Sequence, residues 1–368
     1  MSDTLRPLAR VIRATVLCAC ALLFVYAPAA SSGERIRVAL LDNRSTIAVS
    51  AESGLLVEHR AESGVRKMFF TSASIGSRPV RIRAHSGFSR VNGKNYRGWL
   101  EVRKKKNGLL LVVNELDIED YLQSVVTSEI PHDWSFEALK AQAVAARTYA
   151  LYQKKAADHR LYHVLATVNS QVYRGGDSER PRGARAVRDT RGLVILYRGE
   201  LINAFYHSSC GGHTENAGEL WGIDEPYLKG VDCECQEISR YGLWERRIGK
   251  RRVLATLRKQ GIRISDVVGM GIKGVTAAGR VKGVSLRSSQ GERLIPAETM
   301  RAALGTAVIP SVFFELELDG NEAVFSGRGA GHGVGLCQWG AEEMAERGYD
   351  FKAILAHYYP GTAVAPWE

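Results

Sequence analysis

Cysteine and histidine residues are concentrated in one part of the chain, where they could hold a metal or carry out thiol chemistry. His207, Cys210 and His213 lie close together, and Cys233 and Cys235 follow after a short interval. Thiolate and imidazole are the ligands that zinc prefers. A disulfide from Cys210 to one of the later pair, or a nucleophilic cysteine assisted by a histidine, are the alternatives. The spacing alone leaves all three open.

We predict zinc at these residues, in a structural role. The predicted ligands are Cys210, Cys233, Cys235 and one histidine, His207 or His213. Cys233 and Cys235 are too close in sequence to pair comfortably with each other, so a shared metal satisfies both more easily. A disulfide from Cys210 to one of the other two would leave the third cysteine unpaired, unless it forms a bond with a further cysteine.

Glu129 is a candidate general acid because of its position. It lies at the end of a predicted helix, directly before Ile130 and the helix-ending Pro131. The negative end of the helix dipole disfavours a carboxylate there and should raise the pKa of Glu129. A carboxyl group with a raised pKa suits proton donation. By position alone, an ordinary surface glutamate is the more common alternative.

A glycine-rich segment, residues 327–340, presents His332, Gln338 and Trp339. It superficially resembles a phosphate-binding loop, but no Lys-Ser/Thr pair follows the glycines and no acidic ribose partner appears in a βαβ context. Glycine lets the backbone come close to a site, so we expect this segment to present its side chains there. A purely structural turn is the alternative.

The elements that position these residues predict an α+β fold. Residues 35–114 alternate apolar and polar side chains between Asn-Gly turns, which favours antiparallel strands with little helix. A short helix over 118–130 with Asp117 as its N-cap, and a long amphipathic helix over 136–155 after a Ser135 cap, follow. Strands are predicted at 168–173 and 192–206. The predicted fold is therefore an antiparallel β-rich body with a long helix carrying the site.

The predicted domains follow from these changes of pattern. Residues 236–325 read as an inserted small α+β subdomain that carries no catalytic constellation, with helices near 250–260 and 296–304. The predicted parts are a signal peptide at 1–29, a β-rich region at 30–113, a core at 114–235 and 326–361, and the insertion at 236–325.

Composition and charge point to an exported globular protein. The 368 residues are 45% hydrophobic, which excludes a disordered chain. Arg6, Arg10 and Arg13 precede an uncharged run and small residues, as in a cleaved signal peptide, so we expect a periplasmic or extracellular location. The alternative is an uncleaved anchor with loose membrane association. The net charge of +11 suits polyanionic envelope polymers or anionic membranes better than nucleic acid, and a solvated basic surface is the other explanation.

Several long motifs, in order, resemble the SpoIID/LytB family of cell-wall enzymes and amidase enhancers. The resemblance covers roughly residues 91–361 and rests on these segments: 116–122 (LDIEDYL), 128–131 (SEIP), 138–150 (ALKAQAVAARTYA), 171–175 (QVYRG), 207–215 and 331–340. It implies peptidoglycan as substrate and lytic transglycosylase action on glycan strands stripped of their stem peptides. It also implies that Glu129 is the catalytic acid and that Arg147 belongs to the same site.

The resemblance does not decide what the cysteines bind. Some members of the family bind zinc beside the site through cysteine and histidine, which supports the metal interpretation of Cys210 without identifying its partners. Cys337 departs from the family pattern, which commonly has Ser or Thr at that position. The role of Cys337 therefore stays open.

A single carboxylic acid suffices for the implied reaction, so neither a second carboxylate nor a metal is required for the chemistry. We expect further side chains to bind the sugar or to stabilise charge beside Glu129, and they are Arg147, Gln171, Ser208, Ser209, His332 and Gln338. Glycan strands are the predicted partner, with an amidase or another cell-wall hydrolase as a second. One rival is a non-catalytic glycan-binding amidase enhancer, and the other is a cysteine hydrolase that uses Cys210 or Cys337.

Overall fold

The computed structural model describes residues 33–59, 64–157 and 160–367. The predicted signal peptide, residues 1–29, lies outside the described residues. Within these ranges, no helix combines the length and the apolar character needed to cross a membrane.

The N-terminal region consists of short strands whose buried residues alternate with exposed ones, as in Thr46–Ser50, where Ile47 and Val49 point into the core. Most neighbouring strands pair antiparallel. The strands are β1 (Arg35–Arg44), β2 (Thr46–Ser50), β3 (Leu55–Val57), β4 (Lys67–Thr71), β5 (Val80–Ala84), β6 (Ser89–Val91), β7 (Lys94–Tyr96), β8 (Trp99–Lys104) and β9 (Leu110–Asp117).

Two helices follow β9 directly and form the centre of the main core. The alanines of the second helix, Ala143, Ala146 and Ala150, are fully buried, so the neighbouring elements approach its backbone closely. The elements of this part are α1 (Ile118–Glu129), α2 (Phe136–Ala156), β10 (Val164–Leu165), α3 (Pro181–Asp189), β11 (Leu193–Tyr197), β12 (Glu200–Leu201), β13 (Tyr206–His207) and α4 (Ala217–Trp221). One large sheet has the order β10-β1-β9-β8-β5-β3, and β2, β4, β6 and β7 form a second.

The next segment has a hydrophobic core of its own, between Trp244 and Phe325. Two three-stranded antiparallel sheets and two helices enclose it. The elements are β14 (Trp244–Gly249), α5 (Lys250–Lys259), β15 (Gly269–Val275), β16 (Val281–Ser288), β17 (Gly291–Pro296), α6 (Ala297–Leu304), β18 (Phe314–Asp319) and β19 (Glu322–Gly327).

The chain then returns to the main core through β20 (Leu336–Cys337), α7 (Gln338–Glu346), α8 (Phe351–Tyr358) and β21 (Ala363–Pro366). Strand β20 pairs parallel with β13, with Tyr206 opposite Leu336 and His207 opposite Cys337. This short pairing joins the two parts of the core on either side of the segment with its own core.

The α+β class is confirmed, and the local differences have physical causes. Residues 168–173 form a loop and not the predicted strand, because the Val172 N–H donates to Glu129. The Ser135 hydroxyl donates to Glu342 and does not cap α2. Helix α7 begins at Gln338, where the Cys337 sulfur accepts from the Gly340 N–H as an N-cap. The domain boundaries stay a prediction.

Candidate active site

A cavity of about 500 Å³ opens where the end of α1, the loop over 168–172, strand β13 and the glycine-rich segment meet. This volume lies within the range of ligand pockets. Among the described residues that line it, Glu129 is the only Asp or Glu, and Arg301 is the only Lys or Arg. The remaining lining residues are mostly polar or aromatic: Ser128, Tyr149, Val168, Asn169, Ser170, Val172, Phe205, Tyr206, His207, Ser208, Trp221, Thr306, Gly331, His332 and Gln338.

The Glu129 carboxyl is held by donors from two different segments. Its Oε1 accepts from the Val172 N–H at 2.6 Å and from the Tyr206 hydroxyl at 3.3 Å. The Gln338 side chain, which donates to Gln142 at 3.4 Å, lies beside the carboxyl and also lowers its pKa. Burial raises the pKa of Glu129 above its ordinary value, and these hydrogen bonds oppose the rise only in part. The sequence argument gave the direction correctly, but burial, not the helix dipole, is the largest cause.

His332 lines the cavity as a neutral imidazole. Its Nδ1 accepts from the Val334 N–H at 3.1 Å, so the proton is on Nε2, which donates to the Tyr206 carbonyl at 3.0 Å. Burial lowers the pKa of His332 to about 3. With both nitrogens engaged, His332 orients the backbone beside Tyr206 and is not free to transfer a proton.

The predicted sugar-binding residues divide into two groups. Ser208 and Gln338 line the cavity beside Glu129. Gln171 is fully buried behind it, where it accepts from the Tyr121 hydroxyl at 3.0 Å and donates to the Ala146 carbonyl. The Ser209 hydroxyl lies 3.5 Å from the Cys235 sulfur. Gln171 and Ser209 therefore support neighbouring elements and do not line the cavity.

The structure corrects the predicted position of Arg147. Its guanidinium is 1% exposed and makes a bidentate pair with Glu119, with contacts of 2.8 and 2.7 Å. Further N–H groups donate to the Leu193 and Val187 carbonyls. Glu119 is in the first turn of α1 and Glu129 is its last residue, so the two lie about 15 Å apart along the helix axis. Arg147 therefore joins α2 to the start of α1 and does not reach the acid.

The cysteines form one buried group behind the cavity. The sulfurs of Cys210, Cys233, Cys235 and Cys337 all lie within 4.8 Å of one another. His207 is not part of this group, and its Nδ1 donates to the Val334 carbonyl at 3.1 Å. Cys210 and Cys337 are fully buried and do not line the cavity, whereas a nucleophilic cysteine must be accessible. The structure therefore contradicts the cysteine-hydrolase interpretation.

The lining residues that the sequence analysis missed include Tyr206, Val172, Trp221 and Arg301. Trp221, the last residue of α4, is 38% exposed and packs 5.0 Å from the His332 ring. Arg301 comes from α6, in the segment predicted to carry no part of the site. For Trp221, the only signal in the sequence was an aromatic residue shortly after the His207–Glu215 cluster. No motif or spacing in the sequence around Arg301 indicated that it lies at the site.

The fold and the cavity define an α+β protein with a cleft built around one carboxylic acid. The model of the family described as "Stage II sporulation protein" matches residues 106–197, which include Glu129. An uncharacterised protein of Brachyspira hyodysenteriae is 32% identical over 87% of this chain and 84% of its own length. Stage II sporulation protein D of Bacillus amyloliquefaciens is 30% identical over 69% of this chain and 75% of its own.

The amidase enhancer of Bacillus subtilis is also 30% identical, over 67% of this chain but 40% of its own length. The chain therefore belongs to the stage II sporulation protein D (SpoIID) family, as the motifs indicated.

Proposed function

We propose that the protein is a peptidoglycan lytic transglycosylase that cleaves the bond between N-acetylmuramic acid and N-acetylglucosamine in glycan strands without stem peptides. The proposal places the protein outside the cytoplasm, where its substrate lies, in keeping with the predicted signal peptide. The observation that carries the proposal is a single carboxyl group with a raised pKa in a polar, aromatic cleft.

The presence of one carboxyl group in the cavity supports a reaction that needs only one. Most glycosidases that use water need two carboxylates, one as acid and one as base or nucleophile. In the described residues lining this cavity, Glu129 has no second Asp or Glu to assist it. A lytic transglycosylase needs no second carboxylate because the attacking hydroxyl belongs to the substrate itself.

In the proposed reaction, protonated Glu129 donates its proton to the glycosidic oxygen, and the bond from that oxygen to C1 of N-acetylmuramic acid breaks. The resulting carboxylate removes the proton from the C6 hydroxyl of the same sugar. The C6 oxygen then bonds to C1, which gives the 1,6-anhydro ring and restores the protonated acid. The donors from Val172 and Tyr206, together with the Gln338 side chain beside the carboxyl, stabilise the carboxylate between the two steps.

The remaining walls suit a sugar. Trp221 offers an exposed aromatic face and Ser208 a hydroxyl, a combination typical of sites that bind a ring with apolar faces and polar edges. Arg301 supplies a guanidinium, whose Nη1 also pairs with Glu298 at 3.2 Å. Removal of the stem peptide leaves a free lactyl carboxylate on N-acetylmuramic acid, and this anion is the group that we assign to Arg301.

The direct test is digestion of purified glycan strands that lack stem peptides. We expect products that end in 1,6-anhydro-N-acetylmuramic acid, identified by mass spectrometry. Products that end in a reducing sugar would indicate hydrolysis and contradict the proposed chemistry.

The pH dependence of cleavage should report the Glu129 acid. The protonated form is the active one, so kcat/KM should fall as pH rises through the raised pKa of Glu129. Tyr206→Phe removes a hydrogen bond that stabilises the charged form, which raises this pKa further and should move the alkaline limb to higher pH.

Tyr149→Phe is the matched control, because Tyr149 lines the same cavity but its hydroxyl is hydrogen-bonded to Ser170. We expect it to leave the alkaline limb in place. An equal shift in both variants would contradict the role of Tyr206.

Arg301→Gln should raise KM by about tenfold with little change in kcat, since a hydrogen bond to a charged group contributes ~1.5 kcal/mol or more. Arg301 also pairs with Glu298 and donates to the Ile309 and Pro310 carbonyls, so thermal unfolding is measured in parallel. Arg301→Lys keeps the charge and should restore part of the affinity, and Arg252→Gln on the exposed face of α5 is the control. An unchanged KM for Arg301→Gln would remove Arg301 from the binding site.

The alternative function is a non-catalytic glycan-binding protein that stimulates an amidase or another cell-wall hydrolase. The similarity to the Bacillus subtilis amidase enhancer favours it, although that match spans 40% of the enhancer. The same cleft would then hold glycan without cleaving it. Binding of the strands with no 1,6-anhydro product, together with stimulation of a purified amidase, would support this alternative.

A further inference from the structure

The four buried sulfurs have the spacing of a closed tetrahedral metal site. Two of them, on Cys210 and Cys235, are 3.4 Å apart, and all four lie within 4.8 Å of one another. Zinc bound to four thiolates at about 2.3 Å places the sulfurs about 3.8 Å apart. A disulfide would need about 2.05 Å. The four residues therefore fit zinc, and the fourth residue within reach is Cys337 and not a histidine.

Hydrogen-bond donors surround these sulfurs, as they do around metal-bound thiolates. The Cys337 sulfur accepts from the backbone N–H groups of Cys210 at 3.3 Å and Gly340 at 3.4 Å. The Cys233 sulfur lies 3.2 Å from the Tyr358 hydroxyl. Such donors favour the thiolate form, which is the form that binds a metal.

A buried cation lies beside the same group. Arg280 is 1% exposed, and its Nη2 donates to the carbonyls of Cys210 and His213. Its Nε and Nη1 have no hydrogen-bond partner, and the nearest carboxylate oxygen, on Glu215, is 3.6 Å away. A zinc ion with four thiolates carries a net charge of −2. Arg280 is paired with the buried Glu215 carboxylate, and its guanidinium also lies close enough to the sulfurs to offset part of the additional negative charge that four thiolates would bring.

We propose that Cys210, Cys233, Cys235 and Cys337 bind one structural zinc ion, and that Cys337 is the ligand that connects this ion to the catalytic cleft. Binding exchanges the four thiol protons for the metal, and no bond of the substrate is involved. Cys337 is at once a ligand, a residue of β20 and the N-cap of α7. The next residue, Gln338, lines the cavity together with Glu129, so the metal would hold this side chain in place.

The first experiment measures metal in the full-length protein purified without chelator. Elemental analysis should give about one zinc per chain, and X-ray absorption at the zinc edge should show four sulfur neighbours at about 2.3 Å. This spectrum is recorded on the wild-type protein, so it decides the ligand set even where a cysteine variant fails to fold. Neither measurement depends on glycan cleavage, so the zinc proposal can fail while the proposed function holds.

The second experiment compares two variants under a competing chelator. Cys337→Ser should lower zinc retention about tenfold or more, whereas His207→Ala should retain zinc like the wild type. A nitrogen neighbour in the absorption spectrum, or loss of zinc from His207→Ala but not from Cys337→Ser, would overturn the assignment. Protein without zinc and with fewer than two free thiols after denaturation would establish a disulfide instead.

Discussion

Glycan cleavage should fall by about 10²–10⁴ when Glu129 is replaced by glutamine, the range that positioned acid catalysis contributes. The amide has nearly the shape of the protonated carboxyl but cannot give up a proton at the glycosidic oxygen. Loss of the charge should leave the fold intact, because burial already disfavours the carboxylate. The measurement is the initial rate of 1,6-anhydro product formation from strands without stem peptides.

Glu346→Gln provides the matched control, since the same substitution is made at an exposed residue at the end of α7. We expect wild-type rates from it. A Glu129→Gln protein that keeps more than about a tenth of the wild-type rate would exclude Glu129 as the acid, given the size of the catalytic contribution.

Replacement of Arg147 by alanine should lower the free energy of unfolding by about 3–5 kcal/mol, because it leaves the Glu119 carboxylate buried without its partner. Arg147→Lys should rescue this loss poorly, since an ammonium cannot reproduce the bidentate pair and the two carbonyl contacts. Denaturant titration gives the free energies. At temperatures where the variant is folded, kcat and KM should stay within a few-fold of the wild type.

A double variant tests whether Arg147 stabilises the fold or contacts the substrate. Replacing the pair together, as Arg147→Met with Glu119→Leu, removes the unpaired charge and should recover much of the stability. If the single variant Arg147→Ala instead kept wild-type stability and had a hundredfold lower kcat, Arg147 would be in contact with the substrate.

Local signals in the sequence predicted the elements that carry the site. Asp117 and Pro131 bounded α1 to within one residue, since an N-cap and a helix-breaking proline act over a single turn. Glu129 followed from the same boundary and from the motif around it. The antiparallel strands within residues 35–114 were predicted for a similar reason, because alternation is a property of neighbouring residues.

The contacts that the sequence could not predict join residues far apart in the chain. Cys337 completes a group whose other members end at Cys235, and Arg301 reaches a cavity whose acid is Glu129. Neither contact produces a pattern in the spacing or periodicity of the sequence. Gly340 shows the same limit: a Cβ there would clash with the Tyr358 hydroxyl and the Cys233 sulfur, but the sequence shows only one more glycine in a glycine-rich segment.

The pairing of β14 with β19 has a consequence for the order of folding. Trp244 and Gly327 are opposite each other in one sheet, so the folded segment between them begins and ends at the same place. Closing a loop costs more entropy as the loop lengthens, and the parallel pairing of His207 with Cys337 spans this whole segment. Once the segment has folded around its own core, the effective loop between β13 and β20 is much shorter. Early folding of this segment would therefore lower the entropic barrier to assembling the cleft.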